Sequence, residues 1–447
     1  MIYDAAIIGA GPAGIAAAQK MLSNDKKVLI IEAGTSNKFR RCPVLFGGRG
    51  CVGCGGNCQI ISGVGGACSS VSCGILSKHP AGSGLKKLLG KETLMGLENQ
   101  VLEWLGDTGN NIFNVVEPNI DQQIYRLSNN EDITIKTYQS LSVEGERFEN
   151  LMNNLLDNVT RLGGEIKFNQ RVKDVVGTAD NFSIFTEKGD VYTAKNVIIA
   201  TGRAGNSEML RLMEKMGVGI KGIGGYIGVR FEDRASQALV DLRSKVLDPK
   251  FKRGDARLFC FCPEGKVVAM SVPNRFAGKS IDSTEGCVWE GSPWGNFSIQ
   301  KEAFFDSASA YFGWEESFVK KYMKISRGSL IGQSLKTAIE DSVPEVTDSS
   351  ISKRYVPGSV KELLGSELVE EMIEFLINID NVFDNQIITK ECHVFAPELH
   401  LWPRISVDKH LRAQRGIYVI GDVSGVARGI MQAQVMGLRA AEGVLTK

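Results

Sequence analysis

Six of the ten cysteines fall between Cys42 and Cys73, inside a stretch crowded with glycine. Cys42, Cys51, Cys54 and Cys58 give the spacing C-x8-C-x2-C-x3-C. Close thiolates on a pliable backbone are what a tetrahedral zinc or an iron–sulfur cluster requires. The competing reading is that a glycine-rich loop accommodates small buried thiols, which pack as weak hydrophobes. Cys260 and Cys262 alternate along a strand-like stretch, so their side chains are expected on opposite faces, unable to share an ion without a bulge. Packing is their expected role.

Proton carriers are few, because the chain holds four histidines. His393 and His400 share the run Cys392-His-Val-Phe-Ala-Pro-Glu-Leu-His400 and are the catalytic candidates, with structural roles as the alternative. Tyr226 and Arg230 are four residues apart and lie on one face of a regular strand. They would bind an acidic or carbonyl group of a substrate, surface or interdomain roles being the other reading.

The elements that must position these residues begin at the N-terminus. Tyr3 to Ile8 reads as a buried strand, Gly9-Ala-Gly-Pro-Ala-Gly14 follows at once, and a helical run continues to about Met21. This is G-x-G-x-x-G in the strand-to-helix setting that gives it meaning. Gly9 permits the turn, Gly11 lets backbone approach a pyrophosphate, and Gly14 lets the helix pack closely on the strand. Pro12 and Ala13 open the helix, whose N-terminus favours negative charge. A second apolar strand, Lys27 to Ile31, ends at Glu32 and Ala33, where a carboxylate can accept hydrogen bonds from a ribose. These features together imply a dinucleotide without deciding which one.

Two distant segments narrow the choice. Gly416-Ile-Tyr-Val-Ile420 reads as a strand closed by Gly421-Asp422, and a helix runs from Ile430 to about Val444. The acid would bind a ribityl chain, and the amides at Gly429, Ile430 and Met431 would face a flavin pyrimidine ring. Centrally, Asn196-Val-Ile-Ile-Ala-Thr-Gly202 is an apolar strand whose end, Ala200-Thr201-Gly202, would cross beside the same cofactor. Val172 is a further expected contact.

These three segments, in this order, resemble the two-dinucleotide-fold FAD proteins that include glutathione reductase and the flavin hydroxylases. More narrowly the chain resembles the family known as uncharacterised FAD-dependent dehydrogenases. That likeness rests on Gly9–Gly14, on the turn at Gly63–Ala67 running to Ser77-Lys-His-Pro80, on Phe259-Cys-Phe-Cys-Pro263, and on Gly421–Gly429. It implies FAD, with Gly65, Gly66 and Ala67 at the flavin, and names no substrate. Gly65-Gly-Ala-Cys68-Ser-Ser-Val-Ser-Cys73 is also similar to the redox-disulfide segment of glutathione reductase-type enzymes, which would make Cys68 and Cys73 an electron-exchanging pair. The segment lies further into the chain than is usual there, no second G-x-G-x-x-G follows, and the C-terminus lacks that family's His-Pro and Glu pattern. A flavin-contacting loop with incidental thiols is therefore the competing reading.

The expected fold is α/β: a discontinuous Rossmann-like FAD-binding domain from about 1–85, 141–205 and 385–447, with an inserted α+β substrate or cap domain at about 206–384. Segment 86–140 is polar and weakly periodic, a surface excursion or a lid. Lys and Arg number 52 against 51 Asp and Glu, so no overall field would recruit nucleic acid or anionic lipid. No basic leader precedes an apolar run, and no stretch reaches the roughly 18 apolar residues of a membrane span; a cytoplasmic location is expected. The leading functional expectation is an FAD-dependent dehydrogenase or reductase passing hydride through flavin N5 between a small molecule and NAD(P)H or an electron-carrier protein. A disulfide- or cluster-linked flavoenzyme is the second, and a non-catalytic flavin-dependent binding or assembly protein the third.

Overall fold

The computed structural model describes residues 1–43, 54, 58–69, 74–108, 113–119, 121, 125, 133–143, 145–177, 180–273, 280–288, 291–351 and 355–446. Its organising layer is a six-stranded sheet in the order Arg412–Gln414, Ile417–Val419, Val197–Ile199, Ala5–Ile8, Val28–Ile31, Glu165–Lys167. The last five strands are parallel, and the Arg412–Gln414 edge is antiparallel. The four inner strands are buried at every residue, which is why they read as unbroken apolar runs: a parallel sheet is covered on both faces.

The covers differ. Ala5, Ile7, Val28, Ile30 and Ile198 meet the helices Pro12–Leu22, Gly145–Arg161 and Ile430–Leu445 in one core. Their neighbours Ala6, Ile8, Leu29, Ile31, Val197 and Ile199 pack on Val172, Val175 and Ile184 of a four-stranded layer. That layer is the meander Val172–Gly177, Phe182–Thr186 and Val191–Ala194, joined by Ile2–Tyr3.

A second sheet has eight strands, in the order Tyr355–Pro357, Leu330–Ser334, His393–Ile405, Ile220–Arg234, Trp294–Phe305, Ala256–Cys262, Lys250–Arg253, Thr134–Lys136. Helices Ala308–Ser326 and Ser366–Val382 contribute to a core beside it. The hairpin Gly265–Pro273 and Ser280–Val288 lies on the long strands, with Thr284 Oγ1 donating to Glu398 and Leu399 N donating to Ser283 Oγ. Residues 393–405, grouped by the sequence reading with the cofactor-binding pieces, run in this second sheet. Residues 134–136 form its edge. Helix Lys91–Thr108 buries Leu94, Leu97, Val101 and Leu105 in the same core as the helix Pro12–Leu22. The segment 86–140 thus contributes to both layers. Among the described residues no helix is long and apolar enough to cross a membrane.

Helices Pro12–Leu22 and Ile430–Leu445 touch at backbone distance, because a Cβ on Gly437 would lie 2.3 Å from Ala13 O. Alanine there gains helix propensity of up to about 1 kcal/mol, but it must push apart two packed helices. Gly437→Ala is expected to lower stability by about 1–3 kcal/mol net, measured as a reduced urea midpoint at unchanged slope.

Candidate cofactor and substrate site

Strands of the parallel sheet end at a cavity of about 640 Å³, which runs from the Gly9–Ala13 turn to the face of the eight-stranded sheet. At its first end Gly9 has φ +115, and a Cβ there would stand 2.4 Å from Ala200 O. Gly14 does not line the cavity; its Cβ would meet Gly9 O at 2.1 Å, so it presses helix onto strand. Gly11 is the residue before the helix Pro12–Leu22, with ordinary φ −77, and nothing lies within 4 Å of where its Cβ would be. The helix N-terminus therefore opens into the cavity.

Glu32 is buried and accepts three backbone hydrogen bonds, from Ala10 N (2.7 Å), Gly34 N (2.7 Å) and Gly63 N (2.9 Å). Sequence reasoning expected it to meet a ribose; it also knits three turns together, using three of the carboxylate's roughly four acceptor sites. Arg40, missed from the sequence, clamps the facing turn by donating to Ser62 O (2.6 Å), Val64 O (3.2 Å) and Gly66 O (3.3 Å). Gly65 N donates to Ala10 O, and Gly65, Gly66 and Ala67 line the cavity with Ala33 and Val172.

In the middle stand Ala200, Thr201 and Gly202 from one strand end and Gly421 and Asp422 from the next. Thr201 Oγ1 is buried without a partner, and Gly202, at φ +56, faces open space. Burial raises the Asp422 carboxyl above its ordinary range, against the pull of Arg428 and Arg203. Gly429 and Ile430 line the cavity at the start of the helix Ile430–Leu445, whereas Met431 turns into the apolar core.

The far end is built on a buried ion network. Arg230 has no exposure and donates to Glu398 through Nε (2.8 Å) and Nη2 (2.7 Å) and to Asn296 (2.8 Å). Glu398 also accepts from Thr284 (2.7 Å) and Gln300 (3.0 Å). The sequence reading offered Arg230 as a substrate contact; in the structure it is fully buried, is not part of the cavity lining and ties strands together internally. Glu285 lies 3.6 Å from Arg230 Nη2 and pairs with Arg203 Nη1. Burial pushes Glu285 up, but Arg203 and Arg230 outweigh it and hold the carboxyl below its usual range.

His400 lines the cavity, with Nε2 3.1 Å from Glu398 and 3.2 Å from Arg203. Burial, together with Arg203, Arg428 and Arg257, sets its basicity well below the ordinary histidine value, so the ring is neutral. His393 is not part of the cavity lining; its Nε2 accepts from Thr347 N at 3.2 Å. Tyr226 pairs in register with His400 and carries the Arg257 guanidinium 3.3 Å from its ring centroid.

The thiols divide. Cys42 and Cys58 are buried with Ile60, Ile61, Val268, Met270 and Cys287, and burial pushes the Cys58 thiol up to about 11. Among the described residues no group of three or more His, Cys, Asp or Glu is arranged to hold a metal; Cys54 is described and Cys51 is not. Cys68 lines the cavity, its thiol pushed up to about 12 by burial and then by Asp422 and Glu285, and Cys73 lies outside the described residues. Cys260 and Cys262 both line the cavity, contrary to strict alternation: Cys260 sits at φ +53 in a register shift between Phe259 and Cys262. Cys260 Sγ donates to Glu285 at 3.1 Å. Cys262 beside it, burial and Glu285 keep the Cys260 thiol protonated.

No family model matches the chain. A relative from Clostridium beijerinckii (strain ATCC 51743 / NCIMB 8052), described as an uncharacterized protein, is 23% identical over 352 residues, 70% of this chain and 63% of the relative. The match thus spans less than two thirds of that relative's length. Among solved structures, glycine oxidase from Geobacillus kaustophilus is 13% identical, covers 100% of this chain and 95% of its own, and has a TM-score of 0.42. L-Amino acid deaminase from Proteus myxofaciens is 14% identical over 100% of this chain and 90% of its own, at a TM-score of 0.38.

Two outcomes follow from the ion network. Arg230→Met strands a buried carboxylate and is expected to cost about 3–5 kcal/mol, while the double replacement Arg230→Met/Glu398→Leu recovers part of that loss; urea unfolding of the single and double variants checks it. For His400, the unfolded ring gains a proton below about pH 6.5 and the folded ring does not. The unfolded state then binds more protons, so this residue's contribution lowers stability as pH falls from about 7.5 to 5.5. His400→Gln is expected to show a shallower loss over that range than the parent.

Proposed function

We propose that the chain is an FAD-dependent oxidoreductase acting on a small molecule. The observation that carries this reading is the cavity itself, joined at one end to a free helix N-terminus beyond Gly11 and at the other to a buried charged wall. Its volume of about 640 Å³ falls within the roughly 300–1,000 Å³ of small-ligand sites.

In this reading Gly9, Gly11, Pro12 and Ala13 hold the pyrophosphate at the helix N-terminus. Glu32 uses its remaining acceptor site on the adenosine ribose. Thr201 Oγ1, buried and unpartnered, and Asp422 meet the polar groups between the nucleotide and the ring. The backbone amides at Gly429 and Ile430 face the pyrimidine edge, where a helix N-terminus stabilises negative charge. FAD, when bound, supplies two-electron chemistry at N5. Phe259, Phe261 and Trp402 exclude water from the substrate end, and His400, which lines the cavity beside Glu398, is the group that handles the proton in this reading. In this reading Cys68 and Cys260, kept protonated by burial and their neighbours, line the wall of the site. NAD(P)H or an electron-carrier protein serves as the second redox partner.

Gly11 permits a test that separates fold from cofactor. A Cβ at Gly11 meets no protein atom within 4 Å beyond its chain neighbours and needs no unusual φ, yet in this reading it enters the space of the phosphates. Gly11→Val is expected to unfold at the urea midpoint of the flavin-free parent, since bound cofactor itself raises the midpoint, but to lose the visible flavin bands, about 1:1 with protein in the parent. A parent that is colourless and takes up no added FAD overturns the reading.

A further inference from the structure

Arginines at the substrate end fall into two groups. Arg230 and Arg203 are matched by Glu398 and Glu285. Arg257 and Arg428 also line the cavity, but among the described residues neither has a carboxylate within ion-pair distance. Arg257 Nε and Nη2, Arg428 Nη1 and Trp402 Nε1 are buried and have no hydrogen-bond partner. An unmatched buried donor costs about 1–3 kcal/mol, more when charged. Arg257 and Arg428 both line the cavity and are only partly covered, and guanidinium groups left there without a carboxylate mark where an acceptor from outside belongs.

The support for these cations is aromatic rather than anionic. Arg257 lies 3.3 Å from the Tyr226 ring centroid and 4.7 Å from Phe259. Arg428 lies 4.2 Å from Trp402 and 5.2 Å from Tyr226. Aromatic faces hold guanidinium groups in place by cation–π attraction and leave their N–H edges unspent. Burial, and then the Arg428 charge, bring Arg257 down to about 9, a repulsion offset only in part by the pull of Asp422 and Tyr226 on Arg428 and of Tyr226, Glu302 and Asp248 on Arg257. A planar anion with several lone pairs relieves that repulsion and accepts the fork of N–H bonds.

We infer that Arg257 and Arg428 are the carboxylate-binding end of the cavity, and that the substrate is a small organic acid. This rests on the flavoenzyme reading above. The phosphates of the cofactor are the other source of an anion, but in that reading they are held at the opposite end, at Gly11.

The test uses the purified protein with its flavin. Phenylacetate, its neutral isostere phenylacetamide and inorganic phosphate are each titrated while the flavin band and tryptophan fluorescence are followed. Phenylacetate is expected to perturb both signals at concentrations where the amide and phosphate perturb neither. Arg257→Met and Arg428→Met, which keep the apolar stem, are each expected to weaken phenylacetate binding by about 30-fold or more with flavin content unchanged; Arg257→Lys should retain part of the affinity. Equal binding of the amide, or unchanged phenylacetate affinity in both Met variants, overturns the inference. So does loss of flavin from those variants with phenylacetate affinity per bound flavin intact, which would assign the guanidinium groups to the cofactor's phosphates. Absence of flavin from the parent sinks the parent reading instead, and the fluorescence titration still decides the anion site.

Discussion

The close approach of backbone to backbone around Gly9, Gly14 and Gly437 is the constraint from which the site follows. Gly14 seats the helix Pro12–Leu22 on the turn at Gly9, Gly9 seats that turn against Ala200, and Gly437 seats the C-terminal helix against Ala13. Each contact is at a distance no Cβ would allow. Their joint effect is to bring the ends of strands Ala5–Ile8 and Val197–Ile199 and two helix N-termini to the same edge of the sheet. A parallel sheet leaves a crevice at the carboxyl ends of its strands, and here the glycines determine how narrow it is and what faces it.

Charge completes what packing begins. The eight-stranded sheet closes the far side of the crevice with Arg230 and Glu398, both without exposure. Such a pair contributes little net stability, since desolvation offsets attraction. Its consequence is positional: Glu398 is fixed by donors from three strands, through Arg230, Thr284 and Gln300, so His400 beside it has defined neighbours. With Arg230 and Glu398 matched to each other, Arg257, on another strand of the same sheet, and Arg428 are left without a carboxylate among the described residues.

The sequence was most legible where a local pattern has one physical cause. Ala5–Ile8, Val28–Ile31, Val197–Ile199 and Ile417–Val419 are apolar throughout because two layers cover them, and the spacing of Gly9, Gly11 and Gly14 reflects three separate steric demands. The far end was less legible. Arg230 and Glu398 are 168 residues apart, and strand periodicity says which face a residue takes without saying what lies opposite. His393 and His400 share a run, yet only His400 reaches the cavity. Cys260 defeated the alternation rule because a left-handed, non-glycine residue carries no sequence signal for the bulge it makes.

At the cysteines the surroundings say more about chemistry than residue type does. A thiol becomes a nucleophile, an electron carrier or a metal ligand as its anion. Every cavity-side thiol with a resolved shift is displaced the other way: Cys58 and Cys68 by burial, Cys260 by Cys262 and burial, with Glu285 adding to the effect at Cys68 and Cys260. The cations near them are already engaged, Arg203 and Arg230 by carboxylates and Arg40 by carbonyls. As neutral groups, Cys68 and Cys260 add small, weakly donating surface to the cavity wall. The cationic character of the cavity resides instead in Arg257 and Arg428, so the polarity of the site is directed at an incoming anion rather than at the protein's own sulfur.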